Sequence, residues 1–139
     1  MSVTINDVRT GIITALKQQF PAMKIYGEEI KQGFTEPCFF VKLLSGDHNR
    51  EVDRRYLRAH SFDIHYFGAS NQDMYDVAES LYATLEYINV TGSLFRGKKM
   101  RHEIINGALH FFVDFDFHVI KSKPAETKML DMEANVKDG

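Results

Sequence analysis

The sequence predicts an α+β domain: a mainly antiparallel sheet with two helices packed on one face, in the order α-β-β-β-α-β-β. Three observations carry this. Phe62-Asp63-Ile64-His65 and Phe115-Asp116-Phe117-His118 repeat one pattern, apolar-Asp-apolar-His, each inside a long alternating run. Alternation puts successive side chains on opposite faces of a strand, so each run has an apolar face and a face of acid and imidazole. Two segments show apolar residues at helical spacing behind Thr and Ser caps. Asn106-Gly107 separates two strand-like runs, the strongest short-range signal for a hairpin.

Thr4 opens the first helix, with Thr4-x-x-Asp7 as a capping box in which Asp replaces the usual Glu or Gln. Ile5, Val8, Ile12, Ala15 and Leu16 form its stripe. Pro21 stops it, since the residue before proline is pushed toward extended geometry. A short strand is expected at Lys24-Ile25-Tyr26, then a loop from Gly27 to Glu36. Cys38 to Leu44 is a nearly continuous apolar run and reads as a central strand.

Ser45-Gly46-Asp47-His48-Asn49 reads as a turn, and Arg50 to Arg55 is dense in charge. The strand resumes from Tyr56 to Phe67, giving a long hairpin whose tip projects past the sheet edge. Ser70-x-x-Asp73 caps the second helix. Its stripe is Met74, Val77, Ala78, Leu81, Leu85 and Ile88, and Asn89 to Gly92 ends it. Lys98 to Ile105 then pairs with Ala108 to Lys121. On the latter, Leu109, Phe111, Val113, Phe115, Phe117 and Val119 line one face, and His110, Phe112, Asp114, Asp116 and His118 the other. Residues 1–121 are expected to form one domain, and 122–139, rich in Lys, Asp and Glu, a flexible arm.

Composition narrows the function. A net charge of −2, from 17 basic and 19 acidic residues, argues against a dedicated duplex-DNA binder. A single cysteine excludes an internal disulfide framework and a thiolate zinc cluster. Met1 to Asp7 does not read as a signal peptide, and no run approaches the ~20 apolar residues of a membrane span, so a soluble, cytoplasmic protein without membrane contact is expected.

Asp63, His65, Asp116 and His118 could ligate a metal, because carboxylate and neutral imidazole are ordinary ligands of zinc or non-haem iron. The preferred reading is a cross-strand ladder or a subunit interface, since no third element adds a fixed ligand. No metal or other cofactor is therefore expected. Cys38 enters the most apolar strand as a small hydrophobe. Gly-x-Ser-x-Gly, Gly-x-Gly-x-x-Gly and phosphate-loop patterns are all missing from the sequence, so no catalytic residue is assigned and the chain is not expected to be an enzyme.

Two basic clusters remain. Arg50, Arg54, Arg55 and Arg58 lie on the projecting hairpin, and Arg96, Lys98, Lys99 and Arg101 open the last one. With Tyr56 and Phe95 beside them they could touch nucleic acid. Glu51, Asp53 and Glu103 interrupt them, which favours solvated strand ends or a salt-bridged protein interface. Candidate interface residues are thus Arg50, Arg54, Arg55, Arg58, Asp63, His65, Asp116 and His118.

Ile25-Tyr26-Gly27-Glu28-Glu29-Ile30-Lys31-Gln32-Gly33-Phe34 and Glu36-Pro37-Cys38-Phe39-Phe40-Val41 resemble the N-terminal half of small tail terminator (tail completion) proteins from phages and prophages of Gram-positive bacteria. Phe62 to Phe67, Asn106-Gly107-x-Leu109-His110-Phe111 and Asp114 to Phe117 resemble later strands of the same family. The likeness spans about residues 4–121. It implies a structural virion protein, assembled in the bacterial cytoplasm. Such a protein forms a hexameric ring on the head-proximal end of the tail tube, stops tube growth and docks to the head connector. The implied partners are further copies of the chain, the tail tube protein and the head–tail connector, with DNA only passing through the lumen. Another neck or tail protein, such as a head-completion or tail-tube component, and a nucleic-acid-binding accessory protein are the alternatives.

Overall fold

The computed structural model describes residues 3–27, 33 and 35–120; the expected arm and most of the 27–36 loop lie outside the described residues. The elements are α1 (Ile5–Gln19), β1 (Lys24–Tyr26), β2 (Cys38–Val52), β3 (Arg55–Phe67), α2 (Asn71–Thr84), β4 (Tyr87–Val90), β5 (Ser93–Ile105) and β6 (Ala108–Ile120). They build one sheet in the order β1-β2-β3-β6-β5-β4. Only β1 and β2 run parallel; every other neighbouring pair is antiparallel. The α+β class is as the sequence predicts, with one further strand.

Both caps form. Thr4 accepts from the Asp7 amide, and the Asp7 carboxylate accepts from the Thr4 amide at 2.9 Å. The Ser70 hydroxyl accepts from the Asp73 amide. The Asp73 carboxylate does not turn back on the cap; it accepts a 2.6 Å hydrogen bond from the Tyr66 hydroxyl and ties α2 to the end of β3.

Alternation fixes the core. Phe39 and Val41 on β2, Phe62, Ile64 and Tyr66 on β3, and Leu109, Phe111, Val113, Phe115 and Phe117 on β6 share one face. Val8, Ile12 and Leu16 of α1 and Met74, Val77, Ala78 and Leu81 of α2 cover it. Each Val, Leu, Ile, Phe or Met side chain among them contributes ~1.5–3 kcal/mol on full burial. The opposite face carries no helix among the described residues.

Several elements differ from expectation. Ser45 to Asn49 is strand, not turn: after a bulge between Leu43 and Ser45 the ladder continues through Ser45↔Ser61 and Asn49↔Leu57. Gly46 is needed there for close approach, since a Cβ would lie 2.8 Å from the His60 ring. The hairpin turns instead at Asp53, which adopts a positive φ of 53°. Its tip is not a free two-stranded projection, because β6 runs alongside β3 as far as Arg55↔Ile120.

The second helix also stops early, at Thr84, with Leu85 as its cap. Ile88 belongs to β4, where Ile88 and Val90 alternate inward and the chain reverses at Thr91-Gly92 to pair with Ser93–Arg96. Four residues are too few for periodicity to tell a strand from a frayed helix end. Asn106 and Gly107, at φ 52° and 77°, make the expected tight turn.

Candidate functional site

The helix-free face is where the acids and imidazoles gather. On β3 the odd-numbered residues point to it, and on β6 the even-numbered ones. Register decides which of them meet. Asp63 stands opposite Phe112, and His65 opposite His110. Asp116 stands opposite Ala59, and His118 opposite Leu57. The two Asp-x-His motifs therefore lie at different heights on the ladder and do not form one four-residue cluster.

Asp63 sits between two imidazoles. Its Oδ2 is 2.7 Å from His65 Nε2 and 3.0 Å from His110 Nδ1. The two rings meet edge to face, with centroids 4.2 Å apart. Asp63 is only 5% exposed, and its Oδ1 is buried with no hydrogen-bond partner. Burial alone would raise its pKa; the hydrogen bonds and charges of His65 and His110 outweigh this and hold it below the ordinary carboxylate value. Phe112 lies parallel to His110, and the Arg101 guanidinium packs 4.0 Å above the Phe112 ring.

The second motif is wetter. Asp116 pairs with Lys98 at 3.5 Å, and His118 with Glu51 at 3.2 Å. Glu51 also receives Arg55, so β2, β3 and β6 are joined near the hairpin tip.

The four arginines do not make a single patch. Arg50 Nε donates to the Asp53 carbonyl at 2.6 Å, and Arg54 faces Asp53 at 3.8 Å. Arg58 has the parity of Phe62 and so points to the helix side, with its guanidinium 5.7 Å from the Phe117 centroid and Nη1 at 3.5 Å from the Val3 carbonyl.

Two further histidines take positions that local pattern does not fully reveal. Alternation places His110 on the polar face, but only the inter-hairpin register brings it to Asp63. His60 is 1% exposed on the core side, stacked on Phe117 at 5.5 Å, with Nδ1 unpartnered. Burial, then the charge of Arg58, lower its pKa against the opposing pull of Asp116 and Asp47. Its parity with Phe62 and Ile64 was the available signal.

Cys38 is not activated as a nucleophile. Burial, then the charge of Glu36, push the Cys38 thiol up to about 11, so it stays protonated. A groove of about 390 Å³ between α1 and β4 is lined by residues such as Thr14, Gln18, Asn89 and Leu94, without carboxylate, imidazole or amine. No helix among the described residues is long and apolar enough to cross a membrane.

A family model described as "Phage tail terminator protein" matches residues 7–127. No curated protein matches the chain. Among solved structures, one is similar at 14% identity over 89% of this chain and 100% of its own, with a TM-score of 0.43.

Proposed function

The chain belongs to the phage tail terminator protein family, and on that premise we propose that its copies close into a ring, six-membered as the sequence resemblance implies. The ring caps the head-proximal end of a tail tube, ends tube growth and presents a surface to the head connector. The protein is a component of the virion tail. It assembles in the host cytoplasm, and DNA passes through its lumen without specific readout. It works by geometry, as a structural protein and not as an enzyme.

The observation that carries this reading is the family match over residues 7–127. Three surfaces are compatible with head-to-tail contacts, in which different patches meet and closure prevents a filament. From Ser45 to Val52 no described strand lies against the outer edge of β2, and the side chains there are exposed. The helix-free face, with His65, Asp116 and His118, and the hairpin, with Arg50, Arg54 and Arg55, offer polar groups to a neighbour, while Asp63, buried between His65 and His110, would act by holding those two rings in place. Arg58, turned inward, would act by supporting the hairpin.

Electron microscopy of the protein mixed with tail tubes tests the reading. Rings seated on one end of each tube, with tube length fixed by their presence, are expected. A phage lacking the gene should make tails of abnormal length or tails that fail to join heads. Normal tails with defective heads would overturn the assignment in favour of a head-completion role.

A further inference from the structure

We propose that Asp63, His65 and His110 hold a divalent transition-metal ion of the zinc class, as a clip between β3 and β6 on the helix-free face. One carboxylate and two imidazoles are a competent ligand set for such an ion, leaving further positions for water. Their ligand atoms all lie within 4.8 Å of one another, and the two shortest separations are 2.7 and 3.0 Å. A tetrahedral ion bound at ~2.0–2.2 Å keeps its ligand atoms ~3.3 Å apart, inside that span.

A second observation points to a ligand. Asp63 Oδ1 is buried and has no partner, although buried carboxylate oxygens are normally satisfied. Hydrogen bonding among the three side chains uses Oδ2 alone and leaves this oxygen unexplained. An ion held by both carboxylate oxygens would satisfy Oδ1 as well as the Oδ2 that His65 and His110 already engage. The side chains of His65 and His110 are 12% and 19% exposed, so the site is open enough for an ion to enter and for water to complete its shell. The scaffold is rigid: Asp63 and His65 are two apart on one strand, and His110 is the direct cross-strand neighbour of His65.

The ligand set is not the four residues that the repeated motif suggests, because Asp116 and His118 engage Lys98 and Glu51 elsewhere on the sheet. Binding does not require ring formation, since all three ligands come from one chain.

The test strips the full-length protein with chelator and titrates Zn²⁺, with bound metal read by equilibrium dialysis and elemental analysis. One Zn²⁺ per chain is expected, together with a rise in Tm. His110→Gln should weaken binding by more than the ~10–100-fold that losing a supporting partner costs, and should abolish the Tm rise. His118→Gln should change neither. Co²⁺ in place of Zn²⁺ should give a visible band that His110→Gln removes. Asp63→Asn is a second probe, and His110→Gln still decides the matter if that variant fails to fold. Substoichiometric binding, or wild-type affinity retained in His110→Gln, overturns the proposal.

Discussion

Phe62-Asp63-Ile64-His65 and Phe115-Asp116-Phe117-His118 are nearly the same four residues in nearly the same local structure, yet they do different things. In the first, Asp63 is buried between two imidazoles, and Phe62 and Ile64 lie in the centre of the core. In the second, Asp116 is 28% exposed beside Lys98, His118 reaches across to Glu51, and Phe117 closes the rim of the core. The motif sets which face each side chain takes. Position along the ladder sets what it finds there.

The largest effect should separate Phe62 from Phe117. Phe62→Ala should cost ~3–5 kcal/mol of unfolding free energy by denaturant titration. Phe117→Ala should cost less, because its ring sits at the margin against His60, Phe95 and Arg58. Equal losses would break the contrast between centre and rim.

The acids come next. Asp63→Ala leaves His65 and His110 without their shared acceptor and should cost ~1–3 kcal/mol, whereas Asp116→Ala removes a surface pair and should cost ~0–1 kcal/mol. Chemical denaturation of both variants at neutral pH checks this.

Acid sharpens the comparison further. Asp63 has a depressed pKa in the folded chain, so it stabilises the fold above its ordinary value of 3.8, and that contribution is lost as pH falls through and below it. Asp63→Asn should remove this loss; Asp116→Asn should leave it. Beside the second motif, His60 is held neutral with a depressed pKa. Its contribution is present above the ordinary 6.5 and declines as pH falls below it, because the unfolded chain then binds a proton that the folded one resists. His60→Gln should flatten stability against pH just below neutrality without changing the carboxylate step. A variant series with the two steps exchanged would refute the assignment.

The smallest effect is at the hairpin tip. A double-mutant cycle on Glu51 and His118 should give a coupling of ~0.2–1 kcal/mol, weakened by salt. The corresponding cycle on Asp63 and His110 should exceed it.

Much of the fold was legible because it rests on local rules. Thr4 and Ser70 cap helices by hydrogen bonds to amides three residues on, and Asn106-Gly107 accepts a positive φ that few other pairs tolerate. The inward sets on β3 and β6 follow from a period of two. The failures are equally physical. Ser45-Gly46-Asp47 carries turn chemistry, but the ladder with β3 overrides it, and Gly46 serves close approach to His60. β4 went unseen because its pairing partner, and not its own four residues, makes it a strand.

The class of the fold, the caps, the last hairpin and the two-faced character of the strands follow from local sequence alone. All of these arise within a few residues, where backbone sterics and side-chain alternation act. Long-range packing is what brings Asp63 to His110 and not His118, turns Arg58 inward and buries His60 without a partner for Nδ1. Those outcomes depend on the register of β3 against β6. That register is set by packing of the whole apolar face beneath α1 and α2, because a slip of one residue would turn every one of those side chains to the opposite face.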